Sequence, residues 1–215
     1  MRQGLSDEND MGKKMNIAVF ASGRGTNFAA ILKAVGAGQI KADLALLVSD
    51  NPGAQAIARA KKAGIKVALI KREDFASKKE FEAGMISALK ENKIDLIVLA
   101  GFMRLFSAEF VRSYKGRIMN IHPSLLPAFK GTRGIKDAFD YGVKITGVSV
   151  HFVDEKLDHG PIILQAAVAL TNSDTAATLA EKIHKLEHKL YPQAIKLFVE
   201  GKLKIKGRKV SGPIS

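Results

Sequence analysis

The chain has 215 residues, a formal net charge of +13 and no cysteine. That length suits one sizeable α/β domain rather than two, and the missing thiols exclude a disulfide framework, a cysteine nucleophile and a thiolate metal site. No apolar run is long enough to span a bilayer, and Asp7, Glu8 and Asp10 stand where a secretion signal has its apolar core, so a cytoplasmic protein without membrane contact is expected.

Residues 1–14 are polar and aperiodic and read as a flexible extension, with a single folded domain over 15–215. From Asn16 onward, short apolar runs at 17–21, 44–48, 67–70, 96–100 and 118–121 read as strands. Between them, 27–35, 54–63, 78–91 and 108–114 read as helices, and in the third Phe81, Met85 and Leu89 recur at four-residue spacing to make one buried stripe. Strands and helices alternating at this spacing predict an α/β fold, a Rossmann-like and mainly parallel sheet with helices on both faces. The last third changes character. Runs at 145–153 and 162–170 predict an antiparallel strand pair, followed by a long helix over about 174 to 199 that Pro192 should kink or interrupt.

Ser22-Gly23-Arg24-Gly25-Thr26-Asn27 follows the first strand and opens the first helix, where backbone N–H groups and the helix dipole favour a phosphate. The third glycine of a dinucleotide fingerprint is replaced by Phe28, although Asp50 ends the second strand where a ribose-binding acid would sit. This loop by itself leaves open an NAD(P)-dependent oxidoreductase. It equally leaves open a plain strand-to-helix turn capped by Thr26 or Asn27.

The densest chemistry lies at Asn120-Ile121-His122-Pro123-Ser124-Leu125-Leu126-Pro127. Residues two apart in a strand project to the same side, so Asn120 and His122 face one way, and Pro123 and Pro127 keep the following segment extended or turning. An amide beside an imidazole suits stabilisation of a developing oxyanion, and a carboxylate partner would keep the imidazole proton available for donation. Asp158, in Leu157-Asp158-His159-Gly160-Pro161, is the candidate partner. The alternative is a turn asparagine, a hydrogen-bonded core histidine, and an aspartate paired in a turn with Gly160.

The basic excess is local. Residues 201–215 hold five Lys/Arg and no acid, and 59–79 hold eight Lys/Arg against Glu73 and Asp74. Neither cluster interleaves aromatic residues for base stacking, so nucleic acid is not expected as a partner, whereas a positive field would attract anionic small molecules. His184-Lys185-Leu186-Glu187-His188 has the H-x-x-E-H spacing of a zinc protease, but Glu200 is the only acid after it, and no metal is expected. Glu187 borders the apolar stripe Leu179, Ile183, Leu186 and Leu190, where a carboxylate needs a ligand or a partner such as Lys182 or Lys185.

The runs at 120–127 and 157–161, together with Ala18 to Asn27, Val98-Leu99-Ala100-Gly101-Phe102-Met103-Arg104 and Thr146-Gly147-Val148-Ser149-Val150-His151-Phe152-Val153, resemble the signatures of the folate-dependent formyltransferases. The likeness extends in order over roughly 15 to 200. It implies transfer of a formyl group from 10-formyltetrahydrofolate, as cosubstrate, to the amine of glycinamide ribonucleotide in purine synthesis. An amino sugar nucleotide remains open as the acceptor. The resemblance assigns catalysis to Asn120, His122 and Asp158, and the ribonucleotide to Gly25, Thr26, Asn27, His184 and Glu187. It assigns the folate to Lys78, Met103, Arg104, Leu105, Phe106, Asn120, Asp154 and Asp158. Lys78 stands where some relatives have arginine, and Gly131-Thr132-Arg133-Gly134-Ile135 lacks the histidines some relatives carry there, so no role passes to Arg133. Larger members of the family carry a further domain, for which 215 residues leave no room. The implied partners are small molecules, with a homodimer left open.

Overall fold

The computed structural model describes residues 14–213, so the expectation for the N-terminal extension lies almost wholly outside the described residues. The five strands expected first are β1 (Met15–Phe20), β2 (Ala42–Ser49), β3 (Lys66–Leu69), β4 (Leu96–Leu99) and β5 (Ile118–His122). They pair in the order β3-β2-β1-β4-β5, all parallel. β6 (Ile145–Phe152) and β7 (Ile162–Ala169) continue the sheet antiparallel, as expected. Helices α1 (Thr26–Gly36), α2 (Gln55–Lys62), α3 (Lys78–Glu91) and α4 (Ala108–Ser113) fall where their periodicity places them, and α6 (Ala176–Val199) closes the domain-sized core.

Alternation along β1 builds that core. Ile17 and Val19 face Phe28 and Ile31 of α1 and Leu179, Ile183 and Tyr191 of α6. Ala18 and Phe20 face Phe81, Met85 and Leu89 of α3 and Phe110 of α4 on the other side. Since β1 has β2 on one side and β4 on the other, the chain reverses its winding between β1 and β4. The crevice at the carboxyl ends of such strands is where open α/β sheets bind ligands.

Four expectations need correction. Of the kink or interruption expected at Pro192, the interruption does not occur, and α6 runs through the proline as one helix. Tyr191, Ala194 and Ile195 are fully buried around the proline, and the Tyr191 hydroxyl bonds the carbonyls of Leu99 and Met119, so tertiary packing outweighs the lost backbone donor. Neither Thr26 nor Asn27 caps α1; the cap position is Gly25 in the left-handed region (φ 67°), with no side-chain cap bond. A fifth helix, α5 (Gly134–Tyr141), was not expected, because its Gly-Thr-Arg-Gly approach reads as loop. Residues 204–211 are no tail: β8 (Lys204–Lys206) and β9 (Lys209–Ser211) form a hairpin whose Lys209 pairs with Ile162 of β7. No helix among the described residues is long and apolar enough to cross a membrane.

Candidate active site

A cleft of about 640 Å³ opens at the carboxyl ends of β1, β4 and β5. One wall is the glycine loop and the start of α1. Gly25 is required there, since a Cβ would lie 2.7 Å from that of Ala56. The free N–H groups of α1 therefore have no side-chain competitor for an anion. Beneath them Glu187, nearly buried, accepts from Asn27 Nδ2 at 3.1 Å and lies 3.0 Å from His184 Nδ1. Lys182 is unavailable to Glu187, being paired with Asp174 at 2.7 Å. Asn27 Oδ1 is buried with no hydrogen-bond partner, an acceptor awaiting a donor.

The opposite wall is formed by 103–106 and by the loop between β6 and β7. Met103, Leu105 and Leu157 are apolar yet well exposed on it, a surface suited to a flat ring. The Arg104 guanidinium turns away to Asp50, at 2.6 Å, and Ser22 Oγ donates to the other oxygen of the same carboxylate at 2.6 Å. Both oxygens of Asp50 are thereby engaged and the residue does not line the cleft, which speaks against its serving as the ribose anchor of a dinucleotide site.

Between the walls stand Asn120 and His122 at the end of β5, on the same side as the pleat requires. His122 Nε2 lies 2.8 Å from the carbonyl of Phe129, so this nitrogen carries a proton and donates it. Nδ1 faces Asp158 Oδ2 at 3.5 Å. The Gly131 N–H donates to that oxygen at 2.8 Å, and Asp158 itself adopts φ 44°, so the carboxylate is held in place by a strained turn. His122 and Asp158 are thus one contact pair rather than unrelated residues.

His151 joins them, and was not anticipated. Its Nδ1 donates to the Phe152 carbonyl at 2.8 Å, leaving Nε2 to accept from Asn120 Nδ2 at 3.2 Å. Burial lowers the His151 pKa, only partly offset by the Phe152 carbonyl and the Asp158 charge, in keeping with a neutral ring. The signal lay in β6, where Ser149 and His151 interrupt an apolar run at two-residue spacing. In the sheet they stand opposite His122 and Asn120.

The chain matches the formyl transferase family model over residues 15–195. The chain belongs to the formyl transferase family. It is 46% identical over 179 residues to the phosphoribosylglycinamide formyltransferase of Bacillus subtilis (strain 168), covering 83% of this chain and 92% of that relative. It is 44% identical over 191 residues to the trifunctional purine biosynthetic protein adenosine-3 of Drosophila melanogaster, where the match spans 88% of this chain and only 14% of the larger protein. Among solved structures, glycinamide ribonucleotide transformylase 1 from Symbiobacterium toebii superposes with a TM-score of 0.90 at 42% identity, covering 93% of this chain and 94% of that one. The mixed sheet, the antiparallel pair and the long last helix are the fold of these formyl transferases.

In this member of the formyl transferase family the cleft gathers Gly25, Thr26, Asn27, His184 and Glu187 on one wall and Met103, Arg104, Leu105, Phe106, Asp154 and Asp158 on the other, with Asn120 and His122 between. Lys78 is set apart. It lies in an adjoining cavity of about 300 Å³ with Arg72 and Glu82, connected through Arg104, Leu105 and Phe106, which line both. Sequence reasoning also missed Phe129 and Gly131, whose contributions are backbone groups and leave no mark on side-chain identity.

Proposed function

We propose that the protein transfers the formyl group of 10-formyltetrahydrofolate to the primary amine of glycinamide ribonucleotide, a step of de novo purine synthesis. The observation that carries this reading is the convergence of Asn120, His122 and Asp158 at one point between an anion-ready helix terminus and an apolar wall. The names of the relatives support the acceptor.

The residues fit both substrates. The N-terminus of α1, with Thr26 and Asn27, suits the ribonucleotide phosphate, and Glu187, oriented by Asn27 and His184, suits ribose hydroxyls. Met103, Leu105 and Leu157 suit the apolar faces of a pterin, while backbone groups of 103–106 and 154–158 read its edge. Asp154 has its carboxylate engaged by His159 and the Lys156 N–H, so its contribution there is also through the backbone. Lys78 and Arg72, in the adjoining cavity, suit carboxylates of the glutamate tail.

When the amine attacks the formyl carbon, negative charge collects on the formyl oxygen. Asn120 donates through the Nδ2 hydrogen not engaged with His151, and His122 donates through Nδ1, its only ring nitrogen not committed to Phe129. A proton on Nδ1 is attracted to Asp158, and a lone pair there would be repelled. Asp158 then receives the proton lost by the attacking amine, directly or through one water, and that proton passes on to the folate nitrogen as its bond to the formyl carbon breaks.

The test follows the formyl carbon. With carbon-13 in the formyl group of the donor, the labelled carbon should appear as a formamide on the ribonucleotide amine. Label released as free formate would point to a hydrolase. Label accepted only by an amino sugar nucleotide would replace the acceptor.

A further inference from the structure

The loop between β6 and β7 presents Asp158, yet the roles given above use neither the next residue, His159, nor Arg208 in the turn between β8 and β9. These side chains touch. His159 Nδ1 lies 2.6 Å from Asp154 Oδ2 and, facing a carboxylate, donates to it. Arg208 Nη1 lies 3.0 Å from His159 Nε2 and 3.2 Å from Nδ1, so the guanidinium sits against the face of the imidazole. The remaining oxygen of Asp154 accepts from the Lys156 N–H at 3.0 Å. A continuous chain of contacts thus runs from the hairpin through the imidazole to the start of the loop.

We propose that Arg208 is a positioning residue, which through His159 and Asp154 fastens the loop bearing Asp158 to the C-terminal hairpin. The hairpin is itself anchored independently of this contact. Lys209 pairs with Ile162, two residues beyond Gly160, and Ile205 packs over Gly116, where an added Cβ would sit 3.7 Å from Ile205 Cδ1. The exit of the loop is pinned as well, since a Cβ on Gly160 would fall 1.8 Å from the Phe152 carbonyl oxygen. Between these fixed points Asp158 adopts φ 44°, a conformation that persists only where surroundings over-determine it. Gly131 holds its carboxylate from one side, and the Arg208 to Asp154 chain holds the loop backbone from the other. Partial burial would raise the Asp154 carboxyl, yet it lies below its ordinary range because His159 and the Lys156 N–H bind the anion.

The kinetic side of this inference rests on the formyl-transfer reading; the structural side does not. Amide hydrogen exchange over residues 153–161 and steady-state kinetics are measured for the full chain and for Arg208→Ala, Arg208→Lys, His159→Ala and the Arg208→Ala/His159→Ala pair. Arg208→Ala should speed exchange in the loop and lower kcat, each by about tenfold, with the KM for ribonucleotide unchanged. Arg208→Lys should recover part of both, and Arg208→Ala should add nothing to His159→Ala. Unchanged exchange in Arg208→Ala, or its full effect again without His159, would overturn the proposal. If the wild-type chain transfers no formyl group, the functional reading fails and the exchange data alone decide the role of Arg208.

Discussion

His122 Nδ1 and Asp158 Oδ2 are 3.5 Å apart, and each partner is fixed from behind: His122 by the Phe129 carbonyl, Asp158 by the Gly131 N–H. The separation exceeds that of a good N–H···O bond, so the pair leaves room at Nδ1 for a third oxygen. Asp158→Asn keeps the shape and removes the charge. It should lower kcat by about 10² to 10⁴ while leaving thermal stability nearly unchanged, measured by steady-state kinetics alongside a melting curve.

His151 orients the amide of Asn120, so His151→Gln should lower kcat by roughly tenfold with little effect on either KM. It also makes a pH prediction. Burial depresses the His151 pKa, so between the folded value and about 6.5 the unfolded chain holds a proton that the folded chain does not. Its contribution to stability is complete above about pH 6.5 and is lost as pH falls through the folded value. Melting temperatures between about pH 7 and pH 5 should fall for the wild type and fall less for His151→Gln.

Glu187 is held by Asn27 and His184, and on the proposed reading it binds the ribonucleotide. Glu187→Gln should raise the KM for ribonucleotide by about tenfold or more and leave kcat within a few-fold. A fall in kcat with unchanged KM would remove Glu187 from the acceptor wall.

Gly25 combines φ 67° with a 2.7 Å approach to Ala56 Cβ. Gly25→Ala should destabilise the protein by about 1 to 3 kcal/mol in denaturant unfolding and weaken ribonucleotide binding, because the methyl group displaces the glycine loop from α2.

Much of the fold was legible because parallel strands buried on both faces leave uninterrupted apolar runs, and the observed α3 has the expected bounds of 78–91, flanked by Ser77 and Asn92. Pro192 misled because a local rule yields to burial of Tyr191 and Ile195. The β8–β9 hairpin was invisible because lysines alternating with isoleucine and valine on an exposed edge look like a solvated tail. At the site, the type and spacing of Asn120 and His122 could be read directly. The contacts through Phe129 and Gly131 could not, since any residue supplies a carbonyl or an N–H. His151 could have been found from the polar alternation in β6, but only with the register Asn120 to His151 in hand.

On the proposed reading, formyl transfer requires the ribonucleotide amine. Tetrahydrofolate release from a 10-formyl folate, followed spectrophotometrically with and without glycinamide ribonucleotide, tests it most directly. Release that depends on the ribonucleotide, and that falls by about 10² or more in His122→Ala, is the expected result. Release at the same rate without any acceptor, or undiminished in His122→Ala, would contradict it.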